Sequence, residues 1–323
     1  MYRYENDSMT MSCRVCSSRR LDDPIRLSEV MFNTGDLFDY FRCLDCGCLQ
    51  IAAEPTDIAA HYPANYYAYS QTSPGRVAAA KARVKTVLAL YGPPVLFSGR
   101  DWYENGALKS LRDAKVRAAM KVLDIGCGQG DLLSSLRDIG FRKVIGADPH
   151  VDSNIVHKNG TLVLKCDTTA IQDSFDVVMM HHSFEHVWDQ VKMAQEIFRL
   201  LRPGGRCIVR IPTIDSQMWE EYGASWVQLD PPRHFYLHSR SSIAQLFKGA
   251  GLKVTSIIDD STAFGLLGSE KVRLGRPLIE PETGASDFDE IFSRECRTTA
   301  SRRARELNTL ARGDSIAVHA RRT

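Results

Sequence analysis

Short apolar runs alternate with amphipathic stretches from about residue 119 to the C-terminus. "KVLDIG" (121–126) reads as a buried strand, "GDLLSSLRDIG" (130–140) as a helix and "KVIGADP" (143–149) as the next strand. "TLVLKCD" and "FDVVMMHHS" are two further apolar runs. "VKMAQEIFRLLRPGG" repeats its apolar positions at helical spacing and closes on Pro-Gly-Gly; "RCIVRIPT" then reads as a strand. "SSIAQLFKGAG" predicts a helix ended by glycine, "LKVTSIIDD" a strand, and "GDSIAVHARR" a last strand. Alternating strands and helices specify an α/β fold, a parallel sheet covered on both faces. Ligands of such sheets bind at the carboxyl ends of the strands.

Two other regions precede this one. In "GRVAAAKARVKTVLALYG" the residues Val77, Ala80, Val84, Val87 or Leu88, and Tyr91 fall at helical spacing, with Arg76, Lys81, Arg83 and Lys85 on the other face. This predicts a helix packed through its apolar face with a solvated basic face; peripheral contact with an anionic membrane is the sharper alternative. Just before it Tyr62, Tyr66, Tyr67 and Tyr69 form an aromatic patch, read as packing, with Tyr67 the candidate for an acceptor-pocket wall. The N-terminal stretch carries "CRVC" and "CLDCGC". Two Cys-x-x-Cys pairs around strand-forming sequence predict a zinc ribbon with Cys13, Cys16, Cys43 and Cys46 as ligands, and Cys48 a spare or a substitute for Cys46. So short a segment buries too little to fold unaided, and a structural Zn2+ supplies the missing stability. The expected domains are a ribbon at 1–54, a helical linker or lid at 55–118, and the main domain at 119–323. Within the last, an insertion at about 265–311 contains an arginine-rich helix, "TASRRARELNTLARG".

Composition narrows the class. The 323 residues are 44% hydrophobic and 25% charged, with a net charge of +2, so nothing in bulk attracts nucleic acid or a membrane. The longest apolar run is too short to span a bilayer and is broken by prolines. Residues 13–48 hold five arginines and no lysine against six acids, and zinc-bound thiolates add negative charge, which opposes phosphate binding. Five of nine cysteines lie in the first 48 residues. That clustering is unlike a secreted disulfide scaffold, and a reducing cytoplasm is the simplest compartment.

"VLDIGCGQGDLL" carries the chemistry. Gly126, Gly128 and Gly130 run G-x-G-x-G, not the dinucleotide spacing G-x-G-x-x-G. Asp124 ends the strand and Asp131 begins the helix, so a pyrophosphate here would meet two carboxylates. S-adenosylmethionine, with a sulfonium, an ammonium and no phosphate, suits the site better. Asp148 closes the next strand, where it can accept from both ribose hydroxyls; Asp167 closes the third, placed to bond the adenine amino group.

With "VLDIGCGQG", "GADP", "FDVVMMHHSFEHVWD" and "EIFRLLRPGGRCIVRIP" in view, residues 120–260 resemble the class I S-adenosylmethionine-dependent methyltransferases. The cysteine pairs and "LDPPRHFYLHSRSSIAQLFKGAGL" resemble a zinc-ribbon subgroup found with sugar- and polysaccharide-modifying genes. The resemblance implies a doubly wound, mainly parallel seven-stranded sheet with "GDSIAVHARR" as its antiparallel closing strand. Five of the nine histidines lie in the loops "HHSFEHVWD" and "DPPRHFYLH". His181 is assigned to the cofactor; His186 (first), His234 and Glu185 to catalysis, an imidazole of ordinary pKa being a suitable base for a hydroxyl; Arg233 and Tyr236 to the acceptor. His186 orienting the loop and Arg233 pairing with Asp230 remain the structural alternatives. A sugar or lipid- or nucleotide-linked glycan hydroxyl is the favoured acceptor. An RNA methyltransferase and a non-catalytic module stay open, as do monomer and homodimer.

Overall fold

A computed structural model describes residues 11–62, 76–92, 106–280 and 286–323. Tyr66, Tyr67 and Tyr69 lie outside the described residues. In chain order the elements are β1 (Ile25–Ser28), β2 (Leu37–Arg42), β3 (Leu49–Ile51), α1 (Arg76–Tyr91), α2 (Gly106–Asp113), β4 (Val122–Ile125), α3 (Asp131–Asp138), β5 (Val144–Ala147), β6 (Ile155–Val156), β7 (Leu162–Leu164), β8 (Phe175–His181), α4 (Gln190–Leu200), β9 (Leu201–Pro212), α5 (Gln217–Tyr222), β10 (Tyr236–Leu237), α6 (Arg240–Gly249), β11 (Leu252–Asp259), α7 (Ala263–Arg273), α8 (Phe288–Ile291), α9 (Arg294–Thr309) and β12 (Ser315–Arg322).

The main sheet runs β11-β12-β9-β8-β4-β5-β7-β6. Strands β7, β5, β4, β8 and β9 are mutually parallel, and β12 is antiparallel to both β9 and β11. The doubly wound sheet with an antiparallel closing strand is thus present. The two-residue β6 adds an eighth strand, antiparallel on the outer edge, that no apolar run announced. Every residue of β4 is buried, because helices cover both faces. One face packs Val178, Met180, Val209 and Ile211 against Ile197, Leu200, Ile243 and Phe247 of α4 and α6. The other packs Val122, Val177 and Ile208 against Leu133 and Leu136 of α3, Leu108 and Leu111 of α2, and Leu90 of α1. The helix ends follow ordinary capping: the Asp189 carboxylate accepts from Lys192 N, and Ser239 Oγ accepts from Ser242 N.

Two elements differ from their sequence patterns. The helix of "VKMAQEIFRLLRPGG" stops at Leu200, and Pro-Gly-Gly lies inside β9, opposite a register shift in β8. The glycines form a bulge in the strand, not a helix cap. In α1, Val84 (59% exposed), Val87 and Tyr91 face outward, whereas Thr86, Ala89 and Leu90 are buried. This inward face packs against α2 and α3.

The N-terminal segment is not a separate bead. Its sheet runs β1-β2-β3-β10, so β10 of the main domain pairs antiparallel with β3. Its core is shared as well: Tyr40, Leu49 and Ile51 pack with Trp226, Leu229 and Leu237, and with Leu266, Ala300 and Leu307 of α7 and α9. The arginine-rich helix buries Ala300, Ala304 and Leu307, and its outer arginines include Arg297 paired with Asp289 and Arg303 with Glu221. Among the described residues no helix is long and apolar enough to cross a membrane.

Candidate active site

The loop after β4 takes its shape from three glycines in the left-handed region, Gly126 (φ +70°), Gly128 (φ +54°) and Gly130 (φ +80°). Any other residue pays about 1–2 kcal/mol for such a conformation. Space closes two of the positions as well. A Cβ on Gly126 would lie 2.6 Å from Ser183 Cβ, and one on Gly130 2.6 Å from Val163 Cγ2. Asp148, one residue past β5, ties the loop down. Its Oδ2 accepts from Gly128 N at 2.8 Å and its Oδ1 from His150 N at 2.9 Å.

Asp124 is buried, and its Oδ1 has no hydrogen-bond partner. Burial and then the charge of Asp148 push its carboxyl well above the usual range. A buried, unpaired acceptor beside a glycine loop is what an ammonium group would satisfy. Asp167 stands exposed three residues beyond β7. His181 ends β8 opposite Arg210. Both its ring nitrogens are buried without partners, and burial, with the charge of Arg210 next, keeps the imidazole neutral. Asp124, Asp148, Asp167 and His181 therefore stand at or just beyond successive strand ends.

The two histidine loops meet. Phe235 N donates to Glu185 O at 2.9 Å, and the rings of His186 and His234 are 4.8 Å apart. His186 Nδ1 lies 2.9 Å from the Arg233 carbonyl and His234 Nδ1 2.7 Å from that of Gln228. A carbonyl only accepts, so both Nδ1 atoms carry the hydrogen, the Tyr62 hydroxyl at 3.1 Å from His186 Nδ1 sharing it, and Nε2 is the ring atom left for a further partner. Glu185 is 1% exposed and neither carboxylate oxygen has a hydrogen-bond partner. His182 Nδ1 stands 3.4 Å from it and His234 Nε2 4.0 Å.

Several assignments change here. Burial, then the neighbouring His234, lowers the His186 pKa to about 4, so His186 is not the base of ordinary pKa that the sequence suggested. Arg233 is fully buried. It donates to both oxygens of Asp230, to Glu29 Oε1 at 2.5 Å and to His61 O at 3.1 Å. With no exposed edge it cannot anchor an acceptor; pairing with Asp230 is the arrangement found. The Tyr236 hydroxyl is equally committed, donating to Trp188 O and accepting from Arg14 Nε. His238 is buried between Gln190 and Ser242. The residue the sequence reading missed is Glu29, whose carboxylate also accepts from the backbone of Met31, Phe32 and Thr34. Its signal was an acid inside the apolar run "LSEVMF".

Cys13, Cys16, Cys43 and Cys46 converge, with 3.6 Å between Cys13 and Cys46 Sγ and 3.6 Å between Cys16 and Cys43 Sγ. Four sulfurs at about 2.3 Å from one zinc would be separated by close to this distance. Cys48 lies apart, beside His238.

Residues 103–257 match the family described as "Methyltransferase domain". Residues 103–257 thus carry a methyltransferase domain of the class I S-adenosylmethionine-dependent type. It is 31% identical over 129 residues to the "Probable S-adenosylmethionine-dependent methyltransferase" of Mycolicibacterium smegmatis, covering 37% of this chain and 48% of that protein. It is 33% identical over 181 residues to the human mitochondrial ubiquinone biosynthesis O-methyltransferase, covering 46% and 47%. The chain thus spans about half the length of these curated relatives. The 1,6-didemethyltoxoflavin-N1-methyltransferase of Burkholderia thailandensis aligns with a TM-score of 0.40 and 16% identity, over 79% of this chain and 92% of that one.

Proposed function

We propose that this protein transfers the methyl group of S-adenosylmethionine to a hydroxyl of a small-molecule acceptor, a sugar or a lipid- or nucleotide-linked glycan precursor. Oxygen is favoured over carbon. The observation that carries the reading is the glycine loop held by Asp148 beside the unpartnered oxygen of Asp124. Asp124, Gly126, Gly128, Gly130, Asp148, Asp167 and His181 would hold the cofactor, whose sulfonium supplies an electrophilic methyl carbon. The acceptor is activated at Glu185, His186 and His234, where a carboxylate and two imidazole lone pairs face one another. His234 and Glu185 have the leading part, since His186 is too weak a base. Buried walls and fixed rings favour transfer by holding the acceptor in line.

The ribbon supports a small acceptor rather than RNA. Arg20 pairs with Asp45, Arg26 with Asp39, and Arg14 lies over the Trp188 ring, so these three of its five arginines have partners within the fold. We assign one structural Zn2+ to Cys13, Cys16, Cys43 and Cys46, in a ribbon that completes the acceptor side. None of the nine cysteines forms a disulfide, which suits a reducing cytoplasm.

Calorimetry should show S-adenosylmethionine and S-adenosylhomocysteine binding to the full chain. Asp148→Ala removes charge-assisted hydrogen bonds worth roughly 1.5–3 kcal/mol each and should weaken binding by about tenfold or more. Unchanged affinity in that variant, or NADH binding by the wild type, overturns the assignment.

A further inference from the structure

We propose that Glu185, His186 and His234 bind one divalent first-row transition-metal ion, distinct from the zinc of the four cysteines. Three independent features meet here. The first is convergence: one donor atom from each residue lies within 4.8 Å of the others. The second is orientation. Both imidazoles give their Nδ1–H to a main-chain carbonyl, Arg233 O or Gln228 O, which is how protein scaffolds fix a histidine for ligation through its other nitrogen. The third is an unmet charge. The Glu185 carboxylate is 1% exposed and has no hydrogen-bond partner on either oxygen. Around it Asp230 and Glu29 share the single guanidinium of Arg233. Three buried carboxylates thus stand beside one arginine, with His182 Nδ1 3.4 Å and His234 Nε2 4.0 Å from Glu185 as the other basic groups. A dication restores the balance that burial otherwise opposes.

The donor set selects the ion. Two imidazoles and one carboxylate suit Mn2+, Fe2+, Co2+ or Zn2+ better than Mg2+ or Ca2+, which take oxygen ligands. Three protein ligands leave coordination positions free. Those positions would suit an acceptor presenting two neighbouring oxygens, such as a vicinal diol. Only this last statement rests on the proposed function, and in it the ion, rather than an imidazole, lowers the proton affinity of the acceptor.

Mn2+ is the probe, because a manganous ion does not displace zinc from thiolates. Zinc-loaded full-length protein is titrated with Mn2+, and the free ion is followed by its paramagnetic resonance signal. One Mn2+ per chain should bind, and Glu185→Gln and His234→Ala should each weaken it by about tenfold or more. Thermal melts check that both variants fold. Calorimetry with S-adenosylmethionine on the same samples should be nearly unchanged. A wild-type chain that takes up neither Mn2+ nor a second zinc overturns the site, as does a folded Glu185→Gln variant that binds Mn2+ normally. The two readings separate cleanly. Mn2+ binding without S-adenosylmethionine binding keeps the metal site and overturns the methyltransferase function; the reverse keeps the function and leaves His234 as the direct proton acceptor.

Discussion

The two loops that build this site are held in opposite ways. The glycine loop after β4 is held by its own neighbourhood. Three left-handed glycines, Asp148 from the adjacent strand end, and Ser183 packed on Gly126 set its path. The loop at 230–238 is held from far along the chain. Glu29 and Asp230 clamp Arg233, Tyr40 Oη donates to His234 O at 2.8 Å, and β3 pairs with Tyr236 and Leu237. The glycine loop thus rests on the main sheet, whereas the loop at 230–238 is braced by the N-terminal segment.

Removing the proposed zinc is the harshest way to break this asymmetry. Structural zinc contributes apparent free energies of about 10–16 kcal/mol to small zinc domains, so Cys13→Ser should unfold the ribbon and release β10. Methyl transfer should then vanish, while S-adenosylmethionine affinity, measured by calorimetry, stays near the wild-type value. A metal-free protein that turns over normally would show that the acceptor loop stands by itself.

Arg233→Ala tests the same dependence more gently. It strands the Glu29 and Asp230 carboxylates in a buried site, and breaking a buried pair typically costs about 3–5 kcal/mol. Denaturant melts should show a loss of that order, with cofactor affinity again spared. A loss below about 1 kcal/mol would mean that the clamp does not hold the loop.

The smallest effect is expected on the other side. Gly126→Ala combines a left-handed backbone with a Cβ that would lie 2.6 Å from Ser183 Cβ. The backbone part should cost about 1–2 kcal/mol, with the steric part added to it, and the effect should show first as weakened S-adenosylmethionine binding. Adding Ser183→Gly should recover the steric part only. Full recovery would leave the backbone conformation without a role.

How far each region could be read from the sequence follows the same division. The glycine spacing, the acids at 124, 148 and 167 and the strand alternation sit within one β-α-β neighbourhood, where sequence distance and spatial distance agree. The cysteine pairs were equally legible, since each pair converges within its own turn. The histidine loops were found but their roles were not. A spacing pattern cannot show that Arg233 is consumed by Glu29, 204 residues away, nor that burial lowers the His186 pKa to about 4.

By itself the sequence determined the doubly wound sheet, the glycine loop and the four-cysteine cluster, because periodicity, left-handed glycines and thiolate spacing act over a few residues. The tertiary structure alone decided three things: the inward face of α1, the sharing of a sheet between ribbon and main domain, and the meeting of Glu185, His186 and His234. Each of these depends on burial and on charges brought together from distant segments, and those arise only when the chain closes on itself.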